Sequence, residues 1–211
     1  MLEKLNFVKE YPNYYTATSA PRLIELSPIR YLTIEGKGEP AGVIFINATT
    51  SLYQLAYGVK KINKDLGSDF TVPKLEGIWW VLSSLPALEV PREEWYWKLM
   101  IRMPDFVTNE HVENARGLLI AKKKSDHISC VKMESIEEGT CLQMLHIGPY
   151  TTEPQTLAIM HDFMEANDLV QNGLHHEIYL SDPRKVPPEK CKTILRLPVI
   201  DRIVATDQFG L

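Results

Sequence analysis

The chain has 211 residues, enough for one large domain or two of roughly 100 residues each, and its 45% apolar and 24% charged content is that of an ordinary globular protein. A formal net charge of −4 gives no general attraction to phosphate backbones or anionic lipid, so neither nucleic acid nor a membrane surface is an expected partner. No apolar run is long enough to cross a bilayer, the N-terminus lacks the layout of a signal peptide, and Cys130, Cys141 and Cys191 are widely spaced. These features predict a cytoplasmic protein with reduced thiols and no disulfide or cysteine-based metal site.

Residues 1–20 are rich in Tyr, Pro, Asn and Thr without clean periodicity, and read as an arm over the surface. A first module spans 21–106. Arg22 to Leu26 and Tyr31 to Glu35 read as two short strands joined by a turn at Ser27-Pro28, and Gly36 to Pro40 ends the second. Thr49, Thr50 and Ser51 offer N-caps ahead of Leu52, Leu55, Ala56, Val59 and Ile62, whose spacing follows a helical period. Tyr53 and Tyr57 lie four apart on the flank of that helix. Leu75 to Leu82 is a strand by its aromatic and β-branched content, and Trp95 to Met103 is another, stopped by Pro104.

Thr108 caps a linker helix, within 107–127, that carries Val112, Ala115, Leu118 and Leu119 into Lys122, Lys123 and Lys124, where the charge complements the helix dipole. The second module spans 128–200. Ile128 to Met133 and Cys141 to Ile147 are strand-like, separated by a charged turn at Glu137 to Gly139 and closed by Gly148-Pro149-Tyr150. Thr152 and Gln155 have capping-box spacing ahead of an amphipathic helix with Leu157, Met160, Phe163 and Met164. The Asn172-Gly173 turn leads into a strand around Glu177, and Lys192 to Leu197 forms the last strand before a tail at 201–211.

The halves resemble one another. Lys98, Arg102 and Pro104 align with Lys192, Arg196 and Pro198 across otherwise mostly apolar positions, and Gly77 to Trp79 aligns with Glu177 to Tyr179. The expected fold is therefore α+β, two pseudo-twofold-related strand-helix-strand-strand modules with antiparallel sheets and a ligand cleft between them.

Strand alternation puts Glu177 and Tyr179 on one face and His176, Ile178 and Leu180 on the other. An ionised carboxylate withdrawn from water without a partner costs several kcal/mol, so Glu177 must meet Lys192 or Arg196 of the neighbouring strand, or solvent, or a ligand. Trp79, aligned with Tyr179, favours the ligand, because a cation held over such rings gains about 0.5–2 kcal/mol. Adjacent His175 and His176 point to opposite faces, and the two-histidine helical spacing of a metalloprotease is missing, so no metal and no cofactor is expected. His146, just before Gly148-Pro149, reads first as a structural hydrogen-bonding residue and also counts among the ligand-binding candidates. There is no Gly-x-Ser-x-Gly, no cysteine with a base partner and no phosphate-cradling glycine loop.

His176 to Pro183, Pro188 to Lys190, Thr193 to Pro198, Gln143 to Tyr150 and Leu75 to Trp80 together resemble the GyrI-like small-molecule-binding family, most closely its stand-alone members. The resemblance runs from about Phe7 to Val199. It implies a cavity for flat, lipophilic, often cationic molecules. In multidrug-sensing regulators the module is fused to a DNA-binding helix-turn-helix, which this sequence does not contain, so a transcription factor is not expected. Some stand-alone members hydrolyse the strained ring of cyclopropanoid, DNA-alkylating toxins. That resemblance makes Glu177 the catalytic candidate, a general base on a water attacking the cyclopropane carbon, with Tyr150 or Tyr179 assisting. It also implies an aromatic box of Tyr57, Trp79, Trp97 and Tyr179. The alternative is a non-catalytic multidrug-binding module that only sequesters its ligand. Either would be a monomer or a homodimer.

Overall fold

A computed structural model describes residues 4–40, 42–122 and 126–209. Lys123 and Lys124 of the basic helix end lie outside them, as do the extremes of the expected arm and tail. In chain order the elements are α1 (Phe7–Glu10), α2 (Pro12–Tyr15), β1 (Arg22–Leu26), β2 (Ile29–Lys37), α3 (Val43–Asp65), β3 (Glu76–Trp80), β4 (Tyr96–Arg102), α4 (Asn109–Ala121), β5 (Lys132–Ile136), β6 (Gly139–Ile147), α5 (Glu153–Ala166), β7 (Leu169–Gln171), β8 (His175–Tyr179), β9 (Lys192–Asp201) and α6 (Arg202–Phe209). The protein is a mixed α+β chain with extensive antiparallel sheet. Among the described residues no helix is long and apolar enough to cross a membrane.

The chain divides into two compact units, residues 1–10 with 29–136, and residues 11–28 with 137–211. In the first, β2 pairs with both β5 and β4, and β4 pairs with β3, all antiparallel. Helix α3 packs on β2 and β4 and against α4, through a face of Leu52, Leu55, Ala56 and Val59. Thr108 caps α4, its hydroxyl accepting from the His111 amide while the His111 ring accepts from the Thr108 amide. The helix expected to be a linker is thus packed inside this unit.

In the second unit the strand order is β1-β6-β9-β8, antiparallel throughout, with β7 also pairing with β9. Leu142 and Met144 of β6, Leu195, Leu197 and Val199 of β9, and Met160 and Met164 of α5 form its core. Tyr14 and Tyr15, in the segment expected to lie on the surface, are buried. The Arg196 guanidinium sits 4.2 Å over the Tyr14 ring and donates to the Tyr14 carbonyl and to Gln143 Oε1, both at 3.0 Å. Gln143 in turn donates to the carbonyls of Asn13 and Thr16. Backbone groups of an otherwise irregular segment are thereby satisfied by buried side chains.

Three local expectations are corrected. First, β1 and β2 do not pair with each other; β1 joins β6 and β2 joins β4 and β5. A two-residue hairpin needs a positive φ at its first central residue, and neither Ser27 nor Pro28 adopts one. Second, α3 begins at Val43 with Gly42 at its N-cap, not at Thr49 to Ser51. The Thr50 and Ser51 hydroxyls instead donate back to the carbonyls of Ile46 and Asn47, one turn earlier. Third, Thr152 occupies the N-cap of α5 without capping it: its backbone is helical, at φ −102° and ψ −1°, instead of the extended form a capping side chain needs, and its hydroxyl donates to the Pro149 carbonyl at 2.8 Å.

Candidate functional site

Strand β8 carries His175, Glu177 and Tyr179 at alternate positions, and its register on β9 explains where each neighbour goes. His176 lies opposite Arg196 and Glu177 opposite Leu195, so Arg196 shares the face of His176 and not that of Glu177. On that face, His176 Nδ1 lies 3.0 Å from the Glu138 carboxylate, and Arg196 lies 3.7 Å from the same group. Burial works to raise the Glu138 carboxyl, but the charges of His176 and Arg196 and the bond from His176 outweigh it and hold the group below the ordinary carboxylate range.

The other face carries the site. Glu177 is only 9% exposed, and among the described residues its ion-pairing partner is His175 alone, with Nε2 3.1 Å from Oε1. Lys192, the other basic candidate, sits at an exposed position. Glu153 enters from the first turn of α5. A carboxylate is favoured there by the helix dipole. Yet Glu153 is 8% exposed and its Oε1 has no hydrogen-bond partner. Burial first, and then the Glu177 charge, push its carboxyl up to about 9, so it carries a proton in the neutral range. Donor atoms of Glu153, His175 and Glu177 all lie within 4.8 Å of one another. His175 Nδ1 is also buried and unpartnered.

Two aromatic rings flank this cluster. Tyr150 and Tyr179 meet edge to face with centroids 6.1 Å apart. Burial and the nearby Glu177 and Glu153 charges raise the Tyr150 hydroxyl well above its ordinary value, so it remains a donor at any working pH. His146 is fully engaged: Nδ1 lies 2.8 Å from Thr156 Oγ1, and Nε2 lies 3.2 Å from the Pro149 carbonyl and 3.3 Å from Thr152 Oγ1. Gly148, at φ +146°, folds the chain tightly over that ring.

In the first unit, Trp79 and Trp97 are brought together through Phe45, which stacks on Trp79 at 5.9 Å and meets Trp97 edge-on at 5.5 Å. Trp97 is fully buried, with its ring over Gly36 on the paired strand and its indole donating to the Gly38 carbonyl. Tyr57 is 57% exposed and stacks on Tyr53 along α3, apart from that trio. Glu153 carries no signal in the sequence, and His175, weighed there with His176 and Glu177 as a zinc set, is set aside on strand alternation. A glutamate in a first helical turn is ordinary, whereas the two-residue spacing of His175 from Glu177 was there to be read.

The GyrI-like small-molecule-binding domain model matches residues 19–200, most of the chain. The chain belongs to the GyrI-like family. Three solved structures similar to this GyrI-like chain come from Listeria innocua. One is an uncharacterized conserved protein, 43% identical over 93% of this chain and 100% of its own, with a TM-score of 0.88. The other two are described as hydrolases, at 42% and 41% identity over 94% and 93% of this chain and 100% of theirs, with TM-scores of 0.86 and 0.84. No protein with a curated description matches the sequence.

Proposed function

We propose that this GyrI-like protein binds flat, lipophilic or cationic small molecules against aromatic side chains and hydrolyses cyclopropanoid, DNA-alkylating toxins, with Glu177 as general base. The observation that carries the reading is a carboxylate only 9% exposed with no lysine or arginine tying it off among the described residues. Two similar proteins described as hydrolases support the reaction class. The order of strand, helix and two strands, β2-α3-β3-β4 in one unit and β6-α5-β8-β9 in the other, where the three-residue β7 is inserted after α5, supports an origin by duplication.

In the proposed reaction one water attacks the electrophilic cyclopropane carbon and Glu177 takes its proton. The ring C–C bond breaks, and its electron pair flows to the conjugated carbonyl, which takes a proton and becomes a phenol. Tyr150 donates that proton or orients the water in this reading, a role that a hydroxyl remaining protonated supports. Glu153, whose carboxyl is raised by burial and by the Glu177 charge, is the protonated acid beside the proposed base.

The test is turnover of a cyclopropyl-indole substrate, followed as the water adduct by mass spectrometry. The wild type is expected to form many equivalents per chain. Glu177→Gln is expected to lose about 100-fold or more, the usual contribution of a positioned general base. Product that stops at one equivalent would identify a sequestering protein, and an undiminished Glu177→Gln rate would remove the base.

A further inference from the structure

The cluster on the inner face of β8 has a donor set that hydrolysis does not explain. Glu153, His175 and Glu177 place two carboxylates and one imidazole with one donor atom each inside 4.8 Å. Three protein donors about 2.0–2.2 Å from a common ion lie a little over 3 Å from one another, and the 3.1 Å between His175 Nε2 and Glu177 Oε1 is already such an edge. The second, independent observation is unmet polarity. Glu153 is more than nine-tenths buried, and its Oε1 is enclosed without a hydrogen-bond partner. A buried carboxyl oxygen left this way is costly, and a cation that takes the place of the proton on that carboxyl satisfies it and balances both acidic groups together.

The scaffold suits such a role. His175 and Glu177 are two residues apart on one paired strand, and Glu153 is held by the first turn of a helix packed on β6. All three therefore sit on regular elements, which position donors better than loops do. An imidazole beside carboxylates selects a borderline first-row cation over magnesium, which prefers an all-oxygen octahedral shell and keeps its waters. Three protein donors leave a fourth tetrahedral position open to water.

We infer that Glu153, His175 and Glu177 form a binding site for one divalent transition-metal ion of the zinc class. The site shares side chains with the proposed hydrolysis but does not rest on it. An ion there takes up the Glu177 carboxylate, so metal occupancy and metal-free hydrolysis exclude one another. Zinc uptake without turnover would leave the site assigned and refute the hydrolase; turnover without zinc uptake would do the reverse.

The experiment is calorimetric titration of the chelator-treated, dialysed full-length protein with Zn2+, with Co2+ absorption as a geometric readout. One equivalent is expected to bind, the cobalt spectrum is expected to be that of a four-coordinate ion, and Mg2+ at equal concentration is expected to give no heat. Glu153→Gln and His175→Asn, each checked for a native far-ultraviolet spectrum, are expected to weaken Zn2+ binding by about 10-fold or more. The proposal is overturned if wild type takes up no zinc. It is equally overturned if zinc binds both variants as tightly as wild type, or if Mg2+ competes on equal terms.

Discussion

Replacing Glu153 by Gln separates stability from function at this site. In the unfolded chain the carboxyl ionises near 4.5, whereas burial and the Glu177 charge raise it to about 9 in the folded protein. The folded state therefore binds more protons than the unfolded state between those values, and its stability falls as pH rises through that window. At pH 7 the interval above the unfolded value is about 2.5 units, and at about 1.4 kcal/mol per unit the native state carries a burden of at most about 3 kcal/mol. Glutamine has nearly the same shape, never ionises, and can donate to the Glu177 carboxylate. Glu153→Gln should therefore stabilise the protein by about 1–3 kcal/mol at neutral pH, a melting-temperature rise of about 2–4 °C per kcal/mol. It should also flatten the decline between acid and alkaline conditions. Calorimetric melts of both proteins at pH values of about 5, 7 and 9 measure this directly. A variant that melts below wild type at the alkaline end, or keeps the same pH slope, would refute the assignment of a buried, protonated Glu153.

Gly36→Ala puts a Cβ within 2.2 Å of the Trp97 ring, and the overpacking should cost about 1–3 kcal/mol, read as a lower melting temperature. An unchanged melt would mean that the ring does not rest there. Glu138→Gln removes the carboxylate that faces His176 and Arg196 and should destabilise by about 3–5 kcal/mol at neutral pH. Because the Glu138 carboxyl is lowered, wild type holds this stability above the ordinary carboxylate range and loses it as pH falls through the folded value. The difference between the two proteins should accordingly shrink in acid. Trp79→Ala should weaken binding of a planar cationic dye by about 2- to 30-fold in a fluorescence titration, and equal affinity would take Trp79 out of the binding surface.

Most strands and helices were legible because their signals are local. The aromatic and β-branched residues of β3 and β4, and Thr108 ahead of α4, announce themselves within a few residues. Strand pairing is not local: nothing in Arg22 to Leu26 says that its partner is 113 or more residues away in β6. The early start of α3 was hidden because Val43, Ile44 and Ile46 carry strand-forming side chains, yet lie exposed on a helix. At the site, Glu177 stood out because it interrupts an apolar strand. Glu153 did not, since only tertiary burial distinguishes it from an ordinary first-turn glutamate. The choice between an ion pair and an open carboxylate turned on the register that puts Arg196 opposite His176, which no sequence pattern discloses.

The path of the chain between its two units also bears on how the protein is made. Residues 11–28 belong to the second unit, although all of 29–136 intervenes before the rest of that unit is synthesised. During translation the first unit can close as soon as β5 has emerged, while β1 and the segment around Tyr14 must wait for β6 and Arg196. Over that interval an apolar strand and two tyrosines are without their lodging, a natural target for a chaperone and a natural place for misassembly. Excising residues 137–211 as a separate fragment would fail for the same reason, and supplying residues 11–28 in trans as a peptide should restore it.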